Sequence, residues 1–196
     1  TGATPWVGDA AIENGRFTAL APKIAGDARR VIAARGLVLA PGFIDIHCHS
    51  DLLLFDNPAA EIKLRQGVTL EVLGNCGSSQ APLEPNSRPL IQAENVSALD
   101  SWDHPLAWST YGEYVQALKK RGLSINVMGL VGHATLRMAA MEHSDKAPTA
   151  GQLELMQSLL ARSLDEGAAG MSTGLIYAPG CFADTPELIA LAGVAG

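Results

Sequence analysis

The sequence predicts an α/β fold in which a small β-rich segment, residues 1–40, precedes four strand–helix units of a parallel sheet, residues 41–196. Up to Ala40 short apolar runs surround turn dipeptides, whereas from Pro41 onward strand-like runs alternate with helical segments. A complete (β/α)8 barrel takes about 250 residues, and roughly 155 follow Ala40. The prediction is therefore the first half of a barrel. An open four-stranded α/β sheet is the alternative, and half a barrel alone would leave uncovered sheet edges.

The first segment contains two dipeptides that favour tight hairpin turns, Asn14-Gly15 and Arg35-Gly36. Each stands between two short runs that could pair as antiparallel strands. The predicted pairs are 9–12 with 16–20, and 31–34 with 37–40.

The second segment is predicted from strand-like apolar runs and from helix boundary signals. Thr110-x-x-Glu113 and Thr149-x-x-Gln152 are capping boxes, and Thr185-Pro186 also marks a helix start. The Leu/Met stripe after the second box indicates core packing. In chain order the predicted elements are a strand in 41–50, a helix at 59–66, a strand at 68–76, an irregular stretch at 77–109, a helix at 110–121, a strand at 124–131, a helix at 149–167, a strand at 168–173 and a helix from 185.

Composition narrows the class of protein. With 196 residues, 47% of them hydrophobic, the chain can bury a core. A formal net charge of −6 without a basic stripe argues against nucleic-acid binding. No apolar run of about 18 residues and no signal-peptide pattern is visible, so we expect no membrane span and a cytoplasmic protein. Three cysteines are too few for a disulfide scaffold.

Two histidines end the first barrel strand. If this strand continues to Ser50, its period of two places Asp45, His47 and His49 on one face and Cys48 on the other, where it would pack. Two imidazoles two positions apart can bind one metal ion. Cys76 ends the next strand, and parallel strands bring their carboxyl ends together, so a zinc-type set of two imidazoles and a thiolate is predicted. The alternative for the two histidines is a chance pair in a loop, and the alternative for Cys76 is a small buried thiol.

Two further side chains follow later strands. His133 follows the third strand, and a lone histidine is more often a hydrogen-bonded structural residue than a ligand. Tyr177 lies in a Gly- and Pro-containing loop after the fourth strand, where its hydroxyl could meet a substrate or its ring could simply pack.

Together these motifs resemble the D-aminoacylase (N-acyl-D-amino-acid deacylase) branch of the amidohydrolase superfamily. The motif Pro-Gly-Phe-Ile-Asp-x-His-x-His is typical of the whole superfamily. The motif Gly-Asn-Cys-Gly at the second strand is typical of this branch. The matching stretches, in order, are Pro41–His49, Gly67–Thr69, Gly74–Gly77, Gly132–Arg137 and Ser172–Pro179.

The resemblance implies a TIM-like barrel beside a small β-sandwich domain and a zinc-dependent hydrolase that cleaves small N-acyl-D-amino acids to a carboxylate and a free D-amino acid. It assigns His47 and His49 to the metal, Cys76 to the tightly bound zinc and Tyr177 to the substrate carboxylate. Many relatives outside the branch use a carboxylated lysine at the fourth strand, and none of the five lysines lies there.

The resemblance also implies that essential residues lie elsewhere. Two further histidine ligands and the catalytic aspartate of the family are expected beyond Gly196, so no catalytic residue is assigned within the chain, which we expect to be a fragment with an incomplete zinc site. Alone it should bind little metal, turn nothing over and self-associate through unpaired edges. Two alternatives remain open: another amidohydrolase, acting on cyclic amides or dipeptides, and a non-catalytic zinc-binding module. The oligomeric state is not predicted.

Overall fold

The computed structural model describes residues 4–98 and 105–196. The chain divides into two compact units, Thr1–Ala40 and Pro41–Gly196. Within the described residues, none of the helices combines the length and the apolar character that crossing a bilayer requires.

The first unit contains one antiparallel hairpin, which confirms the prediction around Asn14-Gly15. Strands β1 (Asp9–Glu13) and β2 (Arg16–Ala21) pair, with a register shift between Ala11 and Ile12. Asn14 and Gly15 have φ values of 51° and 74°, as both central residues of a two-residue hairpin turn with the twist of the strands require.

The second predicted hairpin is wrong. The chain turns at Arg35-Gly36, where Leu37 N donates to Ala34 O at 3.0 Å, but no strand forms on either side within the described residues. Val31 and Val38 are 81% and 92% exposed, so neither flanking run is packed. A turn dipeptide without such packing does not hold two strands together.

The second unit alternates short parallel strands with helices. Its elements after the hairpin are β3 (Phe43–Asp45), α1 (Leu53–Asp56), α2 (Glu61–Arg65), β4 (Val68–Leu73), α3 (Arg88–Ala98), α4 (Tyr111–Arg121), β5 (Asn126–Gly129), β6 (Val131–Gly132), α5 (His133–Met141), α6 (Ala150–Asp165), β7 (Met171–Ser172), a 3₁₀ turn (Gly180–Phe182) and α7 (Thr185–Ala195).

The strands of this unit are all parallel. β3, β4 and β5 pair in that order, and β6 pairs with β7. The predicted third strand is interrupted at Leu130, whose N–H donates to Leu73 O at 2.9 Å. The residues on either side of it bond to the β7 segment: Gly129 O accepts from Ala169 N, and Val131 N donates to Gly170 O, each at 2.9 Å. One predicted strand is therefore divided between two neighbours.

The strands end earlier than predicted, which changes the placement of the site residues. β3 stops at Asp45, because the Asp45 carboxylate accepts the His47 N–H at 3.2 Å and bends the chain there. The expected alternation of faces therefore does not extend to His47 and His49. β4 stops at Leu73, before Gly74 with φ 72°, so Cys76 lies in a loop rather than in the strand.

The helix start signals were more reliable than the strand lengths. Both predicted capping boxes form, at Thr110 before α4 and at Thr149 before α6. The last helix is capped by Asp184, one residue earlier than predicted, and its carboxylate accepts from Glu187 N at 2.9 Å. α2 is shorter than its prediction. Helices α1, α3 and α5 were not predicted; α3 falls in the irregular stretch at 77–109, of which 99–104 lie outside the described residues.

The core of the second unit lies where the helices pack on the strands. Met156 and Leu160 of the predicted Leu/Met stripe are fully buried, and Leu153 and Leu164 pack against the cluster, which confirms the stripe as core. Ionisable groups are buried here as well, notably Glu71.

Candidate metal centre

Three side chains with metal-binding atoms meet beyond the carboxyl ends of two neighbouring strands. His47 and His49 follow β3, and Cys76 follows β4. His47 Nε2 lies 3.1 Å from Cys76 Sγ, the two imidazole centroids are 5.6 Å apart, and one ligand atom from each residue lies within 4.8 Å of the others. The structure thus brings together all three residues that the sequence singled out as ligands.

This cluster fits a zinc ion by the chemistry of its donor atoms. Imidazole nitrogen and thiolate sulfur are the borderline-soft ligands that zinc selects, at about 2.0 and 2.3 Å. Two such ligands at a tetrahedral angle lie about 3.6 Å apart. The His47–Cys76 pair, at 3.1 Å, is close to this value, so small side-chain rotations would suffice. Both histidines are exposed, which leaves open the side from which further ligands could approach.

Beside the cluster lies a network of charges in which Glu71 is buried and Lys63 and Asp45 are partly exposed. The Lys63 ammonium, in α2, donates to the Asp45 carboxylate, which also accepts from His47 N. Lys63 Nζ also lies 2.9 Å from Glu71 Oε1 in β4. The hydrogen bond from the Lys63 ammonium holds the pKa of Asp45 below its usual value and raises that of Lys63. Asp45 is therefore held as an anion whose role is to shape the turn that presents His47.

Cys48 has no part in this cluster, as predicted. Its side chain is 7% exposed, belongs to the hydrophobic core and directs its thiol at Val72 O, 3.3 Å away. Burial raises the pKa of the Cys48 thiol, which keeps it protonated. It packs behind the histidines that flank it.

The loop that carries Cys76 is unusual in its backbone. Gly74, Cys76 and Gly77 all have positive φ, 72°, 57° and 76°. The buried Asp51 carboxylate accepts Gly74 N at 2.8 Å, and Asn75 Nδ2 donates to Val72 O at 2.7 Å. Burial raises the pKa of Asp51 to about 6. The loop is thus held by side-chain bonds rather than by the strand ladder.

Tyr177 lies beyond β7, in a loop that touches the Cys76 loop. Its N–H donates to Gly174 O at 3.1 Å, and its own carbonyl accepts from Cys181 N at 2.8 Å. The Tyr177 side chain is 58% exposed. Its assignment to a substrate carboxylate stays a prediction.

His133 is a fully buried, hydrogen-bonded residue, as a lone histidine was expected to be. Its Nε2 lies 2.7 Å from Glu187 Oε1, and the second oxygen of Glu187 accepts from Arg137. His133 Nδ1 has no partner among the described residues. The structure therefore places His133 in an ion cluster that ties α5 to α7.

Sequence reasoning missed the residues that hold the three candidate ligands in place. Asp51 and Asn75 support the Cys76 loop, and Ser172 bonds to both of its glycines. The Ser172–Pro179 motif contained a signal, because a small hydroxyl at the end of a parallel strand can reach the neighbouring loops. Nothing in the sequence pattern showed which loop it would reach.

Comparisons with known proteins match most of the chain to one family. A family model described as "Amidohydrolase family" matches residues 30–192. Two curated proteins of Alcaligenes xylosoxydans xylosoxydans are similar to this chain. N-acyl-D-aspartate deacylase is 40% identical over 93% of this chain, and N-acyl-D-glutamate deacylase is 41% identical over 95% of this chain. This chain spans only 36% and 37% of the length of these two relatives.

A solved structure of a related enzyme also matches most of the chain. The chain superposes on N-acyl-D-glutamate deacylase from Bordetella bronchiseptica with a TM-score of 0.81 and 40% identity, covering 95% of this chain and 38% of that one. That enzyme was crystallised with zinc and a phosphonate inhibitor that mimics the tetrahedral intermediate of its reaction. The α/β class of the fold is confirmed by this match.

Proposed function

Because this chain belongs to the amidohydrolase family, in its D-aminoacylase branch, we propose that the whole protein is a zinc-dependent hydrolase of N-acyl-D-amino acids. It would cleave the amide bond of a small-molecule substrate to give a carboxylate and a free D-amino acid. The two relatives named above act on N-acyl derivatives of D-aspartate and D-glutamate, which makes acidic D-amino acids the first substrates to test.

The observation that carries this proposal is the meeting of His47, His49 and Cys76. They come from two loops at the same end of a parallel sheet, and their ligand atoms lie within 4.8 Å of one another. Reactive groups of (β/α)8 enzymes collect at this end of the strands.

In this proposal the residues of the chain hold the metal and orient the substrate. His47, His49 and Cys76 would bind zinc, which when bound supplies the Lewis-acid chemistry of metal-dependent amide hydrolysis. Asp45 fixes the turn before His47, and Tyr177 donates its hydroxyl to the substrate carboxylate. The aspartate that moves the proton is expected outside residues 1–196.

We also propose the finer architecture on the same grounds. The parallel order of β3, β4 and β5 and the pairing of β6 with β7 support four consecutive strands of a TIM-like (β/α)8 barrel. The β1–β2 hairpin in residues 1–40 would belong to a small β-sandwich domain. The barrel requires that its remaining strands come from the rest of the protein.

The metal assignment is tested by replacing Cys76 with alanine in the full-length protein. Loss of outer contacts to a metal ligand already costs about 10–100-fold in affinity or rate, so loss of the ligand itself should lower deacylation by more than ~100-fold. Zinc content is measured by mass spectrometry and deacylation by release of the free amine. Cys181→Ala, at an exposed thiol outside the cluster, is the control.

If Cys76→Ala keeps its zinc and its rate, the assignment is refuted. Substrate class is tested with the wild-type protein: N-acyl-D-aspartate and N-acyl-D-glutamate should be hydrolysed, whereas N-acyl-L-amino acids, hydantoins and dipeptides should not. Preferred turnover of a cyclic amide or a dipeptide would favour a different amidohydrolase. Metal without turnover of any of these would favour a zinc-binding module.

The role of Tyr177 is tested separately with Tyr177→Phe. The change removes one hydroxyl from an exposed side chain and so leaves the fold intact. If the hydroxyl binds the substrate carboxylate, KM should rise with little change in kcat, because the contact exists before and during the reaction. Unchanged KM would remove Tyr177 from the site.

A further inference from the structure

Cys76 is held in a backbone conformation that its own residue type does not favour. Its φ of 57° lies in the left-handed region, which non-glycine residues enter rarely and at an energetic cost. Such a conformation persists only where the surroundings impose it.

Ser172 bonds to the backbone on both sides of Cys76. Its hydroxyl donates to Gly74 O and accepts from Gly77 N at 3.0 Å. Ser172 ends β7, 95 positions along the chain from Gly77, so the loop is closed from a distant strand. Asp51 and Asn75 also support the loop, but on its N-terminal side, through Gly74 N, Cys48 O and Val72 O.

The residues after Ser172 press directly on the same peptide. A β-carbon on Gly174 would lie 1.9 Å from Cys76 O, and one on Gly77 would lie 2.7 Å from Gly174 N. Both positions therefore exclude any side chain, and the backbones of the two loops are in contact. Gly174 O accepts from Tyr177 N, so this contact continues into the loop of the predicted substrate residue.

We propose that Ser172 is a positioning residue that sets the direction of the Cys76 thiol toward the histidine pair. One hydroxyl spans the turn at Gly74 and Gly77, and without it the loop can relax and carry the sulfur away from His47 Nε2. This inference rests on the proposed function, because Cys76 must be a metal ligand for its direction to matter.

The test compares four substitutions in the full-length protein: Ser172→Ala, Ser172→Thr, Ser172→Val and Thr173→Ala. Threonine and valine have nearly the same volume, but only threonine keeps a hydroxyl. Thr173 is exposed and its hydroxyl has no hydrogen bond within the described residues, so its alanine variant controls for deleting a neighbouring hydroxyl. The melting temperature of each variant is recorded to identify those that fail to fold.

The first readout is zinc affinity, measured by competition with a chromogenic chelator. Ser172→Ala and Ser172→Val should bind zinc about 10–100-fold more weakly, as expected when the support of a metal ligand is lost. Ser172→Thr and Thr173→Ala should stay within about threefold of wild type. The second readout is the thiolate-to-metal charge-transfer absorption of the cobalt-substituted protein, which should weaken in the alanine and valine variants alone.

Equal zinc affinity and equal absorption in the threonine and valine variants would overturn the proposal, even if Ser172→Ala does not fold. The two proposals fail separately. If Cys76→Ala keeps its zinc, the proposed function fails, whereas if Cys76→Ala loses zinc and Ser172→Val does not, only the role of Ser172 fails.

Discussion

Replacing Glu187 by glutamine removes a negative charge from the ion cluster that joins α5 to α7. Glu187 Oε1 lies 2.7 Å from His133 Nε2, and Oε2 accepts from Arg137. None of the three residues is more than 1% exposed. Arg137 cannot move to solvent easily, because its Nη2 also donates to the carbonyls of Ser144 and Lys146 at 3.2 and 3.0 Å. The substitution therefore leaves a buried guanidinium without its counter-charge.

The expected loss of stability follows from that burial. Removing one partner of a buried ion pair costs about 3–5 kcal/mol, and glutamine keeps one oxygen that can still accept a hydrogen bond, which favours a value of about 3 kcal/mol. Folded domains are stable by only about 5–15 kcal/mol. Each kcal/mol shifts the melting temperature of a 150–250-residue domain by about 2–4 °C and that of a larger protein by less, so a decrease of at most roughly 12 °C is expected.

The assay is thermal and urea unfolding of the full-length protein, followed by circular dichroism. Glu154→Gln, at an exposed position on α6, makes the same chemical change where no cluster exists and is the control. The double substitution Arg137→Met with Glu187→Gln removes both charges while the glutamine can still bond to His133, so it should cost less than the sum of Arg137→Met and Glu187→Gln measured singly. The reasoning is refuted if Glu187→Gln unfolds within about 0.5 kcal/mol of wild type or if the double variant is as unstable as the sum of the single ones.

Three further substitutions test other parts of the fold by urea unfolding. Lys63→Met removes the cation 2.9 Å from the fully buried Glu71 and should cost about 3 kcal/mol; a neutral effect would mean that the pair contributes nothing. Leu160→Ala should cost about 2–5 kcal/mol because Leu160 is fully buried. Leu155, on the same helix, is 39% exposed, so Leu155→Ala should cost much less. Equal losses of stability in the two variants would contradict the burial of Leu160 in the core. Thr149→Ala removes the cap of α6 and should cost about 1 kcal/mol with faster amide exchange in its first turn; unchanged exchange would show that the cap is dispensable.

Local signals in the sequence were sufficient where a structure depends on neighbouring residues. The Asn14-Gly15 turn and the capping boxes at Thr110 and Thr149 each involve only a few consecutive positions, and all three form. The meeting of His47, His49 and Cys76 was also predicted, because parallel strands bring their carboxyl ends together. The period of two does not place the histidines, since β3 ends before His47.

Features that depend on distant residues could not be predicted. β3 ends at Asp45 because its carboxylate binds His47 N and Lys63, and the lysine comes from another element. The third strand is divided at Leu130 because its ladder partner changes there from β4 to β7. The pattern of apolar residues is the same whether or not such a partner is present, so it carries no information on these points.

The loop around Cys76 also bears on protein engineering. A β-carbon on Gly74 would lie 2.1 Å from Leu130 O, and one on Gly174 would lie 1.9 Å from Cys76 O. Transplanting the Gly-Asn-Cys-Gly sequence into another scaffold would therefore not reproduce its backbone conformation. That conformation is imposed by Leu130, Ser172 and Gly174, which lie at two other strand ends. A designer who wants this cysteine conformation must graft three neighbouring loops together, with their glycines unchanged.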